Sequence, residues 1–194
     1  MNAAGIAAIV VAFNSEETLD ECLTRLRAAE DVAEIRVVDN DSRDGSLDIV
    51  QRHALADPRL RFIANPDNPG FAVACNQGTA ASRAPWLAFV NPDCLVEADS
   101  LARLRTHAHR AIGFGEDGPR DVTEYVDVAV HGQGGDVVFG ADLVDEDGLH
   151  DAAARRRDPE FAAMLRDPAR RQLGIAMDPS QPLQAVDAGS GALM

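Results

Sequence analysis

Apolar and polar positions along the first hundred residues sort the chain into alternating strands and helices. Ile6 to Phe13 is a near-continuous apolar run of strand length, as expected of a parallel strand covered on both faces, and is read as the first, central strand. After a turn at Asn14 and Ser15, Leu19, Cys22, Leu23 and Leu26 recur at i, i+3, i+4 and i+7, which marks one face of a helix. Ser15 is placed to cap that helix, with Glu16 and Glu17 near its positive end. Ile35 to Val38 predicts a short second strand ending in Asp39, and the turn-forming stretch Asn40 to Gly45 leads into a helix through Leu47, Ile49 and Val50. Leu60 to Ala64 predicts a third strand, Asn65 to Gly70 a loop, Phe71 to Ser82 a helix of small residues, and Trp86 to Val90 a fourth strand.

Strands and helices that alternate in this way build an α/β fold, with a parallel sheet, helices on both faces, and the loops after the strands gathered on one edge. Ligand chemistry is expected on that edge. Past Asp93, Leu101, Leu104 and Ala108 predict one more helix; beyond it the pattern weakens. Val122 to Val130 and Asp136 to Val144 are candidate strands, and Arg155 to Arg157 with four later prolines marks a loop-rich, partly helical segment. The expected organisation is a first part over residues 1–110 and a second over 111–194. The apolar stretch begun at Ser190 to Met194 stops abruptly, so the chain reads as incomplete at its C-terminal end.

Composition changes this picture little, and charge changes it more. Apolar residues make up 46% and charged residues 26% of 194 residues, an ordinary globular balance. Cys22, Cys75 and Cys94 have no paired spacing, which argues against a disulfide framework or zinc site. No apolar run reaches membrane-spanning length, and Met1 to Gly5 lacks the start of a secretory leader; the expected location is cytoplasmic, at most peripheral at the inner face of the membrane. The formal charge is −14, and the stretch Ile112 to Asp151 carries eleven acidic residues against the single Arg120. That distribution repels polyanions, so no nucleic-acid partner is expected. Every basic residue is arginine. Without lysine there is no phosphate loop of the Gly-Lys-Ser/Thr kind, and no Gly-x-Ser-x-Gly nucleophile elbow occurs. His107 and His109, two apart on a helix, point in different directions and read as structural.

The expected edge collects Asn14, Asp39, Gly70 and Asp93. A nucleoside diphosphate needs an acceptor for its base, close backbone approach at its phosphates, and a divalent cation against its charge; these residue types suit all three. Asp39, closing Val-Val-Asp-Asn, can accept from a ring N–H of uracil or thymine, or can simply be a turn aspartate that caps the next helix. Gly70 allows close approach before a helix start, and also suits a plain turn. In Asn91-Pro92-Asp93 the proline stiffens the turn and Asp93 can offer a hard oxygen to Mg²⁺ or Mn²⁺; an Asx-type turn is the alternative. With one carboxylate, such an ion needs phosphate oxygens and water to complete its shell.

Four blocks in order, IVVAFNSEETLDECLTRL at Ile9 to Leu26, IRVVDNDSRDGS at Ile35 to Ser46, NPDNPGFAVACNQG at Asn65 to Gly78 and WLAFVNPDC at Trp86 to Cys94, resemble the inverting family 2 glycosyltransferases of the GT-A fold, especially bacterial rhamnosyltransferase-like members. The resemblance implies a Rossmann-like, mostly parallel sheet, with residues 1–110 as the nucleotide-sugar-binding half and 111–194 as the start of an acceptor-side half bearing an acidic, glycine-rich insertion. It implies that Ala12, Phe13, Asn14 and Glu17 line the nucleotide pocket, that Asp39 holds the base, and that Asn40 and Ser42 shape its loop. Gly70, Phe71 and Asn76 face the nucleotide or donor sugar. Asp93 matches the metal-binding aspartate, with Asn91 in place of the first acid, and Asp187 to Met194 resembles the segment lining the donor and acceptor site. The implied partners are a nucleotide-sugar donor and a glycan or lipid-linked acceptor, with Mg²⁺ or Mn²⁺ as cofactor. The implied chemistry is a single displacement whose general base lies on a motif expected beyond Met194. Two rival readings are a sugar nucleotidyltransferase, which needs a basic glycine-rich loop where Asn14 to Glu17 is acidic, and a non-catalytic binding protein.

Overall fold

The first apolar run forms β1 (Ile6–Ala12), and the elements after it keep the predicted order: α1 (Glu16–Ala28), β2 (Val32–Asn40), α2 (Ser46–Ala56), β3 (Leu60–Asn65), α3 (Phe71–Ala80), β4 (Trp86–Val90) and α4 (Ser100–Ala111). The computed structural model describes residues 5–80, 82–111, 126–129, 138–140, 155–156, 183–185 and 188–189. The chain divides into two compact units near Arg105. In the first, four strands form one sheet in the order β3-β2-β1-β4, and all three pairings are parallel.

That order fixes where the helices lie. The connections from β1 to β2 and β2 to β3 advance in one direction; the next leaps back across β1 to β4. Right-handed crossovers therefore place α1 and α2 on one face and α3 on the other. Strand β1 is covered on both sides: Ala7, Ala8, Ile9, Val10 and Ala12 are all buried. Helix α1 contributes Leu19, Cys22, Leu23 and Leu26, the predicted i, i+3, i+4, i+7 face, all without exposed surface. Helix α3 reaches the sheet through Gly78, where an added Cβ would stand 2.7 Å from Ile9 Cγ2; the small residue allows close helix–sheet packing at that point.

Strand β2 is longer than the apolar run Ile35 to Val38 indicates. Glu34 continues the strand because Arg36 neutralises it through donors at 2.7 and 3.0 Å. On the side of α1 and α2, polar groups are buried in pairs. His53 is 4% exposed; Arg27 donates to its Nδ1 at 3.3 Å, and its Nε2 lies 2.8 Å from Asp20 Oδ1. A guanidinium only donates, so Nδ1 is the acceptor and Nε2 carries the proton toward Asp20. Asp57 is bracketed by Arg59 at 2.7 Å and Arg27 at 3.5 Å; the Arg59 hydrogen bonds, opposed by burial, pull its pKa from 3.8 to about 2.

The second unit contains β5 (Val126–Ala129), β6 (Val138–Gly140), β7 (Arg155–Arg156), β8 (Leu183–Ala185) and β9 (Ala188–Gly189). β5 pairs antiparallel with β6 and parallel with β8, and β7 pairs antiparallel with β9. The two candidate strands contain β5 and β6, and β7 and β8 fall in the segment read as loop-rich. The rest of the acidic Ile112 to Asp151 stretch, the remainder of the loop-rich segment and the terminal Ser190 to Met194 lie outside the described residues. Among the described residues, no helix is long and apolar enough to cross a membrane.

Candidate functional site

Parallel strands bring their C-terminal ends to one edge, and there the sheet delivers Ala12, Asn40, Asn65 and Val90 side by side. The strand order reverses between β1 and β4, which makes this edge a topological switch point, the usual place for a ligand crevice in an open α/β sheet. Asp39 stands opposite Ala12 in the β1–β2 register. It is 2% exposed. Its Oδ2 accepts from the Ser42 amide at 3.1 Å, a bond inside the turn and not the cap of the next helix, whose first amide goes to Asp44; its Oδ1 is buried with no partner. Turn formation accounts for one oxygen and leaves the other without a protein donor. An unpaired buried acceptor destabilises by about 1–3 kcal/mol, so a structure retains one where something else supplies the donor.

The loops after β1 and β2 are bonded to each other. Asn14 adopts a left-handed backbone, φ 50°, as does Asp41 at φ 60°. The Asn14 amide donates to Ser42 Oγ at 2.9 Å, and Asn14 Oδ1 accepts from the Arg43 amide at 2.8 Å. Asp39, Ser42 and Asn14 thus form one hydrogen-bonded chain, while Ala12 is buried beneath them and Phe13 is 49% exposed beside them. Ser15 occupies the position before α1, but its hydroxyl does not cap the helix: it lies 3.3 Å from Phe13 N and O. The Glu16 amide is satisfied instead by Asp44 Oδ2 at 3.0 Å, from the neighbouring loop.

Asn40 takes a different part from Asp39. Successive strand residues face opposite sides, and Asn40 is tied into an amide cluster at the β3 tip. Its Oδ1 accepts from Asn65 Nδ2 at 2.9 Å and its Nδ2 donates to Asn68 Oδ1 at 3.3 Å. Asn65 and Gln77 exchange two further bonds at 2.8 and 3.1 Å, and Asn68 Oδ1 also accepts from the Gly70 amide at 3.0 Å. Gly70 has φ 95° with no atom within 4 Å of an added Cβ, so backbone conformation, not crowding, selects glycine there. Phe71 follows, 51% exposed; Asn76, a turn further along α3, and Glu17, in the first turn of α1, are exposed.

At the β4 tip, Asn91 O accepts from the Cys94 amide at 3.0 Å and from Cys22 Sγ at 3.6 Å. The Asn91–Cys94 segment is therefore a turn closed by the backbone and not by an Asx side chain, and Asp93 is exposed. Burial, with the charges of Cys94 and Asp93 added, pushes the Cys22 thiol up to about 12, so it remains a protonated donor beneath the turn. Asp39 lies near the end of β2 and Asp93 in the turn after β4, strands two apart in the sheet and about 10 Å between their axes. Among the described residues, no three His, Cys, Asp or Glu side chains gather as a metal cage. A lone exposed carboxylate oxygen is a hard donor that suits a divalent cation arriving with a diphosphate, and it cannot hold that ion alone.

A parallel sheet flanked by helices, with a buried unpaired carboxylate oxygen, bonded loops and an exposed turn aspartate at its switch-point edge, defines an open α/β fold. The chain belongs to glycosyl transferase family 2, whose pattern matches residues 7–115. Among curated relatives, the succinoglycan biosynthesis protein ExoO of Rhizobium meliloti is 36% identical over 104 residues, 53% of this chain and 29% of that protein. The glycosyltransferase AglE of Haloferax volcanii is 28% identical over 101 residues, 50% of this chain and 33% of that protein. The chain thus matches a third or less of the length of these relatives. Among solved structures, residues 1–349 of S. aureus TarS superpose with a TM-score of 0.51 at 20% identity, covering 65% of this chain and 41% of that one. The mannosyltransferase PcManGT from Pyrobaculum calidifontis, solved with GDP-Man and Mn²⁺, gives 0.50 at 22% identity, covering 64% and 35%. These two likenesses speak to the fold, a parallel sheet flanked by helices.

Asp44, Glu16, Asn65, Asn68, Gln77 and Cys22 take part in building the edge without having been singled out as site residues. Polar residues in Asn40 to Gly45 and Asn65 to Asn68 signal turns, but partner choice between loops about 30 residues apart leaves no local trace.

Proposed function

We propose that this chain forms the donor-binding half of an enzyme that transfers a sugar from a nucleotide diphosphate-sugar to a hydroxyl of a glycan or lipid-linked acceptor, with inversion at the anomeric carbon. One observation carries the reading: Asp39 Oδ1, buried and unpartnered at the switch-point edge. It suits the ring N–H of uracil or thymine, so UDP- and dTDP-sugars are the proposed donors, with dTDP-rhamnose the first to test. Ala12, Phe13, Asn14, Glu17 and Ser42 line the base and ribose side, Asn40 holds the loop that presents Gly70 and Phe71, and Asn76 lies toward the sugar. Asp93, with Asn91 shaping its turn, holds Mg²⁺ or Mn²⁺. When bound, that ion offsets the charge of the departing diphosphate. Residues 1–110 make the nucleotide half and 111–194 begin the acceptor side; the acceptor places the work at the cytoplasmic face of a membrane.

Calorimetric titration with UDP- and dTDP-sugars, with and without Mn²⁺, tests this reading. Binding is expected to require the cation and to weaken at least about tenfold in Asp93→Ala. Titrations that show no metal-dependent heat, or equal affinity in Asp93→Ala, would overturn it.

A further inference from the structure

Two carboxylates outside the proposed pocket clasp the loops that form it. Asp44 accepts from the first helical amides of both α1 and α2: Glu16 N at 3.0 Å through Oδ2 and Ser46 N at 3.0 Å through Oδ1. Glu16 answers from the other side, its Oε2 accepting from the Gly45 amide at 2.9 Å. Ser46 Oγ accepts from the Ser15 amide at 2.8 Å. Four amides at helix starts, which have no intrahelical partner, are thus satisfied by side chains, three of them across the loop–loop seam and Ser46 N within its own loop. Gly45 leaves the space the clasp needs, since an added Cβ would stand 2.6 Å from Glu16 Oε1. Although desolvation opposes it, hydrogen bonding from Ser46 and the Glu16 amide holds the Asp44 carboxyl below its ordinary range.

This seam lies one step from the proposed base pocket. Ser42 and Arg43, which bond Asn14, immediately precede Asp44, and Asn14 immediately precedes Ser15. Left-handed residues that are not glycine persist only where the surroundings over-determine them. Asn14 and Asp41 are two such residues, and both lie within three residues of the clasp. We propose that Glu16 and Asp44 are positioning residues: by capping each other's helices they lock the β1–α1 and β2–α2 loops into one unit and so preorganise Asp39, Ser42 and Asn14 for the nucleotide. This rests on the proposed nucleotide reading of the edge.

The test pairs a ligand-free measurement with a ligand-bound one, at a temperature where every variant is fully folded. Amide hydrogen exchange is followed by NMR in wild type, Asp44→Ala, Glu16→Ala and Glu16→Gln, and affinity for UDP and dTDP with Mn²⁺ is measured by calorimetry. In Asp44→Ala, exchange is expected to quicken at Glu16 and Ser46 and also at Asn14 and Arg43, which Asp44 does not touch. If the competent loop population falls to about a tenth, affinity falls about tenfold. Gly45 N needs only an acceptor, so Glu16→Gln is expected to keep near-wild-type exchange and affinity while Glu16→Ala loses both. Faster exchange confined to Glu16, Ser46 and Gly45, or unchanged nucleotide affinity despite loosened loops, overturns the positioning role. Failure of wild type to bind either nucleotide, with the exchange pattern as expected, overturns the nucleotide reading and leaves the clasp as a loop-ordering device alone.

Discussion

Replacing Asp39 by asparagine separates its two roles with no change of shape. The asparagine carbonyl can still accept from the Ser42 amide, now 3.1 Å from Oδ2, so the turn survives. The amide NH₂ then occupies the place of Oδ1, which is buried without a donor. In the proposed complex this sets a donor against the uracil or thymine N–H and removes a hydrogen bond to a charged acceptor. Such a bond contributes about 1.5–3 kcal/mol, which corresponds to roughly 10- to 150-fold in Kd. Stability is expected to move the other way or not at all, because an unpaired anionic acceptor is exchanged for a neutral group; the unfolding free energy should stay within about 1 kcal/mol of wild type. Calorimetry with UDP and CDP, beside urea unfolding, reads both halves. Cytosine presents an acceptor where uracil presents N–H, so Asp39→Asn should also narrow the preference for UDP over CDP. Unchanged UDP affinity, or a drop in affinity matched by a stability loss beyond about 2 kcal/mol, would mark Asp39 as a turn residue and nothing more.

Three further outcomes follow from the packing. Asp57 has a folded pKa of about 2 against 3.8, so its contribution is fully present above pH 4 and is lost as pH falls from about 4 to about 2; the gap corresponds to about 2 kcal/mol, and urea titrations should show wild type and Asp57→Asn differing most near neutrality and converging in acid. Gly78→Ala drives a Cβ to 2.7 Å from Ile9 Cγ2 and is expected to lower stability by about 1–3 kcal/mol, read by thermal unfolding; an unchanged midpoint would mean that α3 can lift off the sheet freely. Cys22, fully buried with a pKa pushed up to about 12, should resist thiol reagents at pH 8 until the chain unfolds, with Cys75 and Cys94 labelled first by mass spectrometry; early labelling of Cys22 would refute its burial on the inner face of α1.

Much of the architecture of the first unit is legible in the chain because its signals are local. A parallel strand covered on both faces must be apolar throughout, so Ile6 to Phe13 reads directly as a strand; Trp86 to Val90 reads as one from its apolar run, although Leu87 is exposed. The α1 face reads from spacing alone, and Gly70 from the turn chemistry around it. Misreadings begin where distant groups set local structure. Strand β2 starts three residues before its apolar run because Arg36 neutralises Glu34. Ser15 reads as a cap from its position, but Asp44, 28 residues on in sequence, satisfies the Glu16 amide.

The same division runs through the site. The types of residue expected on the edge follow from strand order, since each strand end is a short step from its own turn. How those residues partition their hydrogen bonds does not, because adjacent residues of one strand serve opposite faces. Asp39 and Asn40 are neighbours in sequence, yet one keeps an oxygen unpartnered beside Ala12 and Ser42 while the other is consumed by Asn65 and Asn68. Both are buried to the same degree, 2% exposed, so burial alone does not separate them. What separates them is the balance of donors and acceptors: Asn40 gives one bond and takes one from side chains at the β3 tip, whereas Asp39 Oδ1 has no donor from the protein, and it is this difference on which the proposed role of Asp39 rests.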